Sequence, residues 1–146
     1  MDLFIAIFQG IIIASTPLVL AAIGELVVEK SGVLNLGVEG MMIIGAVTSF
    51  IVTYETGSHF LGLIAAVISA GLVASLFGLL TQYLLSNQVA TGLALTLFGL
   101  GLASLIGQTY SGISLDAFPV FDVYLLTEIP IIGSLLFNFD YLIYLS

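Results

Sequence analysis

The sequence predicts an all-α protein, a polytopic bundle of transmembrane helices with about four complete spans plus the start of a fifth. Three observations carry this. Hydrophobic residues make up 60% of the 146 positions and charged residues only 7%, whereas soluble domains carry about 25% charged residues. Mean hydropathy is +1.29. The apolar residues are also gathered into long runs rather than alternating positions, which suits helices that cross a bilayer.

Residues 3–23 form the first run, long enough at about 1.5 Å per residue to cross a hydrocarbon core of roughly 30 Å. The start Met1-Asp2-Leu3 lacks the basic region of a cleavable signal, and no small-residue cleavage motif follows, so a retained span is expected, with a kink at Pro17. Residues 24–30 read as a short charged break. A second span covers 33–54, its first third made polar by Asn35, Glu39 and several glycines. The third covers 60–84 and the fourth 89–107. Residues 108–130, with Asp116, Asp122, Glu128 and two prolines, suit an aqueous loop. Residues 131–139 are too short to cross and suit the interface, while 141–146 open a further apolar run. The whole of 1–146 is expected to be a single membrane domain.

Orientation rests on Lys30, the one basic residue, which places the first connection in the cytoplasm and the N-terminus outside. The turn from Glu55 to His59 then falls outside, and Ser86 to Gln88 inside. Tyr110, Phe118, Phe121 and Tyr124 suit the headgroup level. Small residues recur at helical spacing on two spans: Gly71, Ser75, Gly78 and Gln82, and then Gly92, Thr96, Gly99, Ala103 and Gly107. Such stripes let backbones approach closely in lipid, so Gly71, Ser75, Gly78, Gly92 and Gly99 are the expected helix-packing positions.

Composition removes whole classes of function. One basic residue against nine acidic ones gives a net charge of -8, the wrong sign for nucleic acid. Without cysteine there is no disulfide or thiolate metal site, and His59 stands alone as a histidine. Glu55 and His59 would meet as an i,i+4 pair were their turn helical, but they have no further ligands for a metal. A serine hydrolase needs an oriented base, and an aspartyl mechanism needs two facing acids. Neither set is present in the spans, so no catalytic residue and no enzyme is expected.

The stretch Gly24 to Gly40 is the most informative. Gly24 followed by Lys30-Ser31 imitates a P-loop, but Glu29 stands where the second glycine must sit, and a carboxylate there repels phosphate. Asn35 and Glu39 are four apart and would share a helical face. In one reading they belong to a partly unwound, polar start of the second span that lines or gates a passage. In the other, Glu39 lies at the interface and bonds amides freed by the glycines. Asn87, Gln88 and Thr91 open the fourth span. They serve either as a helix cap with Gln88 at the headgroups or as hydrogen-bonding groups for a polar solute. On the orientation above, both clusters approach the cytoplasmic side and could converge. Gln9 and Thr16 lie seven apart and suit interhelical hydrogen bonding.

Ala21-Ala22-Ile23-Gly24-Glu25, leading through Glu29-Lys30-Ser31-Gly32-Val33-Leu34-Asn35-Leu36-Gly37-Val38-Glu39-Gly40 to Met41-Met42, resembles a signature of bacterial ABC-importer permeases. The family is the binding-protein-dependent group serving branched-chain amino acids, simple sugars and nucleosides. Asn87-Gln88-Val89-Ala90-Thr91-Gly92-Leu93-Ala94-Leu95 is similar to a second block of its nucleoside and simple-sugar branch, as is the tail from Ile129-Pro130 through Gly133 to Phe137.

The resemblance implies a multi-pass, channel-forming subunit of the bacterial inner membrane, passing nucleosides or related small polar solutes. It implies a second permease, a solute-binding protein outside the membrane and cytoplasmic ATPases that hold the ATP, with no cofactor in this chain. By motif match, Asn35, Glu39, Asn87, Gln88 and Thr91 are the expected positions of the passage or its gate. The family's second half carries the helix that docks in the ATPase, so this chain is expected to be the N-terminal half of a longer or split permease, or a truncated product. Two other classes stay open from the residues alone: a non-transporting structural or regulatory membrane subunit, and an ion-coupled carrier using Glu39.

Overall fold

The computed structural model describes residues 2–115 and Ile143. The acidic part of the 108–130 loop, the interfacial 131–139 segment, the start of a fifth span apart from Ile143, the tail block of the resemblance, and Phe118, Phe121 and Tyr124 lie outside the described residues. The chain divides into two units, Met1–Gly24 with Ala117–Ser146 and Glu25–Asp116. The first contributes the greater part of helix α1 to the description; the second holds the end of α1 and all of α2, α3 and α4. Among the described residues there is no strand, and four helices are long and apolar enough to cross a membrane.

Helix α1 (Asp2–Lys30) is longer than the sequence reading expects, because residues 24–30 continue the helix instead of breaking it. Glu and Lys are good helix formers, and Lys30 in the last turn complements the negative end of the helix dipole. The stop comes at Gly32, whose φ of +84° is open to glycine without cost. Its N–H donates to Glu29 O at 2.9 Å and that of Val33 to Val28 O at 3.3 Å, a Schellman termination. Pro17 lies inside the helix. Just before it, the Ser15 and Thr16 hydroxyls both donate to Ile12 O, at 3.1 and 3.0 Å.

Helix α2 (Val38–Thr56) starts five residues later than the expected 33, leaving a non-helical segment behind α1. It ends at Gly57 in the left-handed region, whose N–H donates to Thr53 O at 2.8 Å. Ser58 caps helix α3 (His59–Gly78), accepting from Leu61 N–H at 3.4 Å. Glu55 and His59 therefore sit on different helices. Helix α3 runs into a π-helical turn, Leu79–Tyr83, and the chain reverses through Leu85 at φ +52°. Helix α4 (Gln88–Gly107) follows, with a short 3-10 turn, Gln108–Tyr110, behind it.

Helix α2 is central and packs along both α3 and α4, which touch each other little. Lipid tails are as apolar as leucine, so close backbone approach and interhelical hydrogen bonds drive the pairing. Against α3, Gly45 faces Ala66 and Ala70, and Gly62 fits beneath Thr53 and Ser49. The Thr48 and Ser69 hydroxyls share a hydrogen bond of 2.6 Å. Against α4, Gly40 meets Leu95, Thr96 and Gly99. Met41, Phe77 and Leu95 form the small apolar core, with Val33 and Val73 beside it.

Of the expected packing positions, Gly92 and Gly99 are buried in the α4 seam with Leu95 and Ala103. Gly71 and Gly78 have nothing near the place a Cβ would take, and Ser75 is exposed. Helix α3 carries two small-residue faces, and it turns Gly62, Ala66 and Ala70 toward α2.

Candidate functional site

The site is built around the break between α1 and α2. Residues 33–37 are not helical, so their backbone groups need other partners, and within a bilayer each unmade bond is costly. Side chains from three places supply them. Leu34 N–H donates to Gln88 Oε1 at 2.8 Å, Asn35 N–H to Glu25 Oε1 at 3.0 Å, and Gly37 N–H to Asn35 Oδ1 at 2.9 Å. The Thr96 hydroxyl donates to Leu36 O at 2.9 Å. Gly92 makes room for the segment, since a Cβ there would lie 2.8 Å from Leu36 N.

Asn35 is 8% exposed and also directs Nδ2 at Met41 Sδ, 3.7 Å away. It is a structural knot rather than a free polar group. Because it precedes the helix, Asn35 does not share a helical face with Glu39, which corrects the expectation from their spacing. The two nonetheless line one cleft of about 370 Å³ together with Glu25, Glu29 and Thr96. Glu39 is exposed in the first turn of α2, where the positive end of the helix dipole favours a carboxylate.

The sequence reading lets the 33–39 and 87–91 clusters converge, and the bond from Leu34 to Gln88 joins them. The remaining nominated residues face elsewhere. Asn87 caps α4, its Oδ1 accepting from Ala90 N–H at 3.0 Å. Thr91 shares a hydrogen bond of 2.9 Å with Ser86 and lines a separate apolar groove with Leu76, Leu80 and Phe98. Gln88, expected either at the headgroups or toward a solute, is engaged by the backbone of Leu34.

Sequence reasoning missed Glu25 and Glu29 as site residues because it read them as a break. The available signal was their four-residue spacing, which aligns them once α1 continues through residue 30. Thr96 was read only as part of a packing stripe. At the opposite end of α2, Tyr110 donates its hydroxyl to Glu55 Oε1 at 2.9 Å and meets Tyr54 edge-on, with ring centroids 5.7 Å apart.

Chemically, the cleft sets three carboxyl side chains, Asn35 and Thr96 among Leu34, Leu36, Val38 and Leu93, so it suits uncharged or cationic donors of hydrogen bonds that also carry apolar surface and disfavours anions. Among the described residues no group of three or more His, Cys, Asp or Glu side chains is placed to hold a metal ion.

Comparison with known proteins gives the family. Residues 7–137 match the family described as branched-chain amino acid transport system, permease component. A protein of Haloferax volcanii, provisionally named a glucose ABC transporter permease protein, is 40% identical over 86% of this chain and 39% of its own length. The nucleoside ABC transporter permease protein of Lactococcus lactis is 29% identical over 90% of this chain and 45% of its own. The guanosine ABC transporter permease protein of Bacillus subtilis is 29% identical over 88% and 42%. The chain thus spans less than half the length of each of these relatives. No solved structure matches it significantly. The chain belongs to this permease-component family.

Proposed function

We propose that this member of the permease family forms part of the solute passage of a binding-protein-dependent ABC importer. The solutes are nucleosides, sugars or related small polar molecules. Residues 1–146 act as one membrane domain of a multi-pass subunit, in the bacterial inner membrane on the reading above. ATP hydrolysis takes place on a separate cytoplasmic subunit, a second permease completes the passage, and a solute-binding protein delivers the cargo. The chain itself is not an enzyme.

The observation that carries this reading is the interrupted start of α2 against a cleft that holds three carboxyl side chains among apolar ones. Discontinuous helices in transporters put polar backbone and side chains at a cavity without exposing them to lipid. A sugar or nucleoside brings several hydroxyl donors and no charge, which the cleft matches. In the proposal Glu39 and Thr96 face the solute, and Asn35 holds the wall of the passage in shape through its bond from Gly37 N–H. Gln88, Asn87 and Thr91 hold the gate by fixing the start of α4. ATP binding and hydrolysis on the partner shift the assembly between outward and inward openings.

The test is reconstitution of the full-length protein with its co-purifying subunits, followed by uptake of labelled guanosine and glucose. Glu39→Gln and Thr96→Val are expected to raise KM by about tenfold, the order of one lost hydrogen bond to solute. The proposal fails if no P-loop ATPase associates. It also fails if uptake follows a proton gradient and ignores ATP depletion.

A further inference from the structure

Tyr54, Glu55 and Tyr110 meet at the end of α2 remote from the cleft. Tyr110 holds two consecutive residues at once. Its hydroxyl donates to Glu55 Oε1 at 2.9 Å, and its ring meets that of Tyr54 edge-on, with centroids 5.7 Å apart and an interplanar angle of 79°. A tyrosine that only marks the headgroup level bonds water or lipid, whereas this one turns its hydroxyl back to its own chain. Aromatic pairs favour this separation and the edge-to-face arrangement, so the bond and the ring contact together restrict the tilt of Tyr54. Tyr54 is still 46% exposed.

Beside that ring lies a hollow of about 270 Å³, lined by Thr53, Tyr54, Gly57, His59, Ser114 and Leu115. The wall comes from the end of α2, the start of α3 and the segment behind the 3-10 turn. Three properties limit what it can take. Sites for drug-sized ligands run from about 300 Å³ upward, so this one suits a single ring system. Among the described residues its wall has no lysine or arginine, so nothing there pairs a phosphate or carboxylate. A fixed aromatic ring offers its face to a flat π-system, while the hydroxyls of Thr53 and Ser114 suit a polar rim.

We propose that this hollow binds an uncharged nucleobase, stacked on Tyr54 with its polar rim against Thr53 and Ser114. Tyr110 and Glu55 are positioning residues, which act by holding the Tyr54 ring. The site rests on the transport reading above for its solute, a nucleoside, and adds a second station at the other end of α2 from the cleft. On the Lys30 orientation that end is the outer one, where a delivered solute enters.

The experiment photolabels the full-length protein and its co-purifying subunits in lipid nanodiscs with 8-azidoguanosine and maps the label by mass spectrometry. Label should fall on residues 50–60 or 106–115. Tyr54→Ala should cut it about tenfold at subsaturating probe, the size of one lost stacking contact, and Tyr54→Phe should retain it. Tyr110→Phe keeps the ring and loses the bond, so it should cut labelling about threefold, with no further effect in the Tyr54→Ala background. Unlabelled guanosine should displace the probe and glucose should not. The proposal is overturned by label absent from both segments, by label undiminished in Tyr54→Ala, or by equal displacement with glucose. A Tyr110→Phe effect that persists without Tyr54 overturns the positioning role. Uptake by the same subunits in liposomes separates the two readings. Labelling here without ATP-driven uptake sinks the transport reading and leaves this site standing, and uptake without labelling here does the reverse.

Discussion

Gly40 and Gly99 bring the backbones of α2 and α4 into direct contact. A Cβ built on Gly99 would lie 2.7 Å from both Cα and O of Gly40, and one built on Gly40 would lie 2.6 Å from Leu95 O. The atoms in the way are backbone, so no rotamer change relieves the overlap. This contact sets how α4 lies on α2, and with it the distance of Thr96 and Gln88 from the 33–37 segment.

Gly40→Ala or Gly99→Ala should therefore cost about 1–3 kcal/mol, as overpacking does, and should loosen the bonds from Leu34 to Gln88 and from Thr96 to Leu36. Gly71→Ala, on the open face of α3, should be neutral or slightly stabilising, because alanine is the better helix former. Thermal unfolding in a fixed detergent or nanodisc separates the two cases. Equal losses at Gly40 and Gly71 would contradict the assigned seam.

Gln88→Ala removes the acceptor for Leu34 N–H, and Gln88→Glu keeps one. The alanine variant should lose about 1 kcal/mol, with faster exchange at the Leu34 amide. The glutamate variant should retain most of the protection. An alanine variant with unchanged exchange would mean that the bond is not made in the bilayer.

The Thr48–Ser69 pair is a direct hydrogen bond between α2 and α3. Such bonds are worth only about 0.6 kcal/mol on average within membranes. A double-mutant cycle with Thr48→Val and Ser69→Ala should return a coupling of that order. A coupling near zero would leave the α2–α3 pairing to Gly45 and Gly62 alone.

Leu85 stands at φ +52° and is 83% exposed. A leucine in the left-handed region carries a cost that asparagine largely avoids. Leu85→Asn should raise stability by about 0.5–1 kcal/mol. A fall in thermal midpoint would show that the leucine's apolar contact with its surroundings outweighs the strain.

Most of the helical architecture was legible before any coordinates, and for a local reason. Length and hydropathy of a run decide whether it can cross the membrane, and α3 and α4 begin within a residue of the expected positions. The candidate site was half legible. Asn35 and Glu39 line the cleft as their polarity suggested, whereas Glu25 and Glu29 were hidden by being taken for a break.

What the sequence by itself determined is the set of helices, their order and the polar residues available at their ends, because propensity, capping and hydropathy act over a few neighbours. What only the tertiary structure decided is which small-residue face of α3 meets α2, where α1 stops and α2 starts, and which side chains take up the freed amides of 33–37. Those choices depend on backbone approach and on hydrogen bonds between residues as far apart in the chain as Leu36 and Thr96, and no local pattern encodes them.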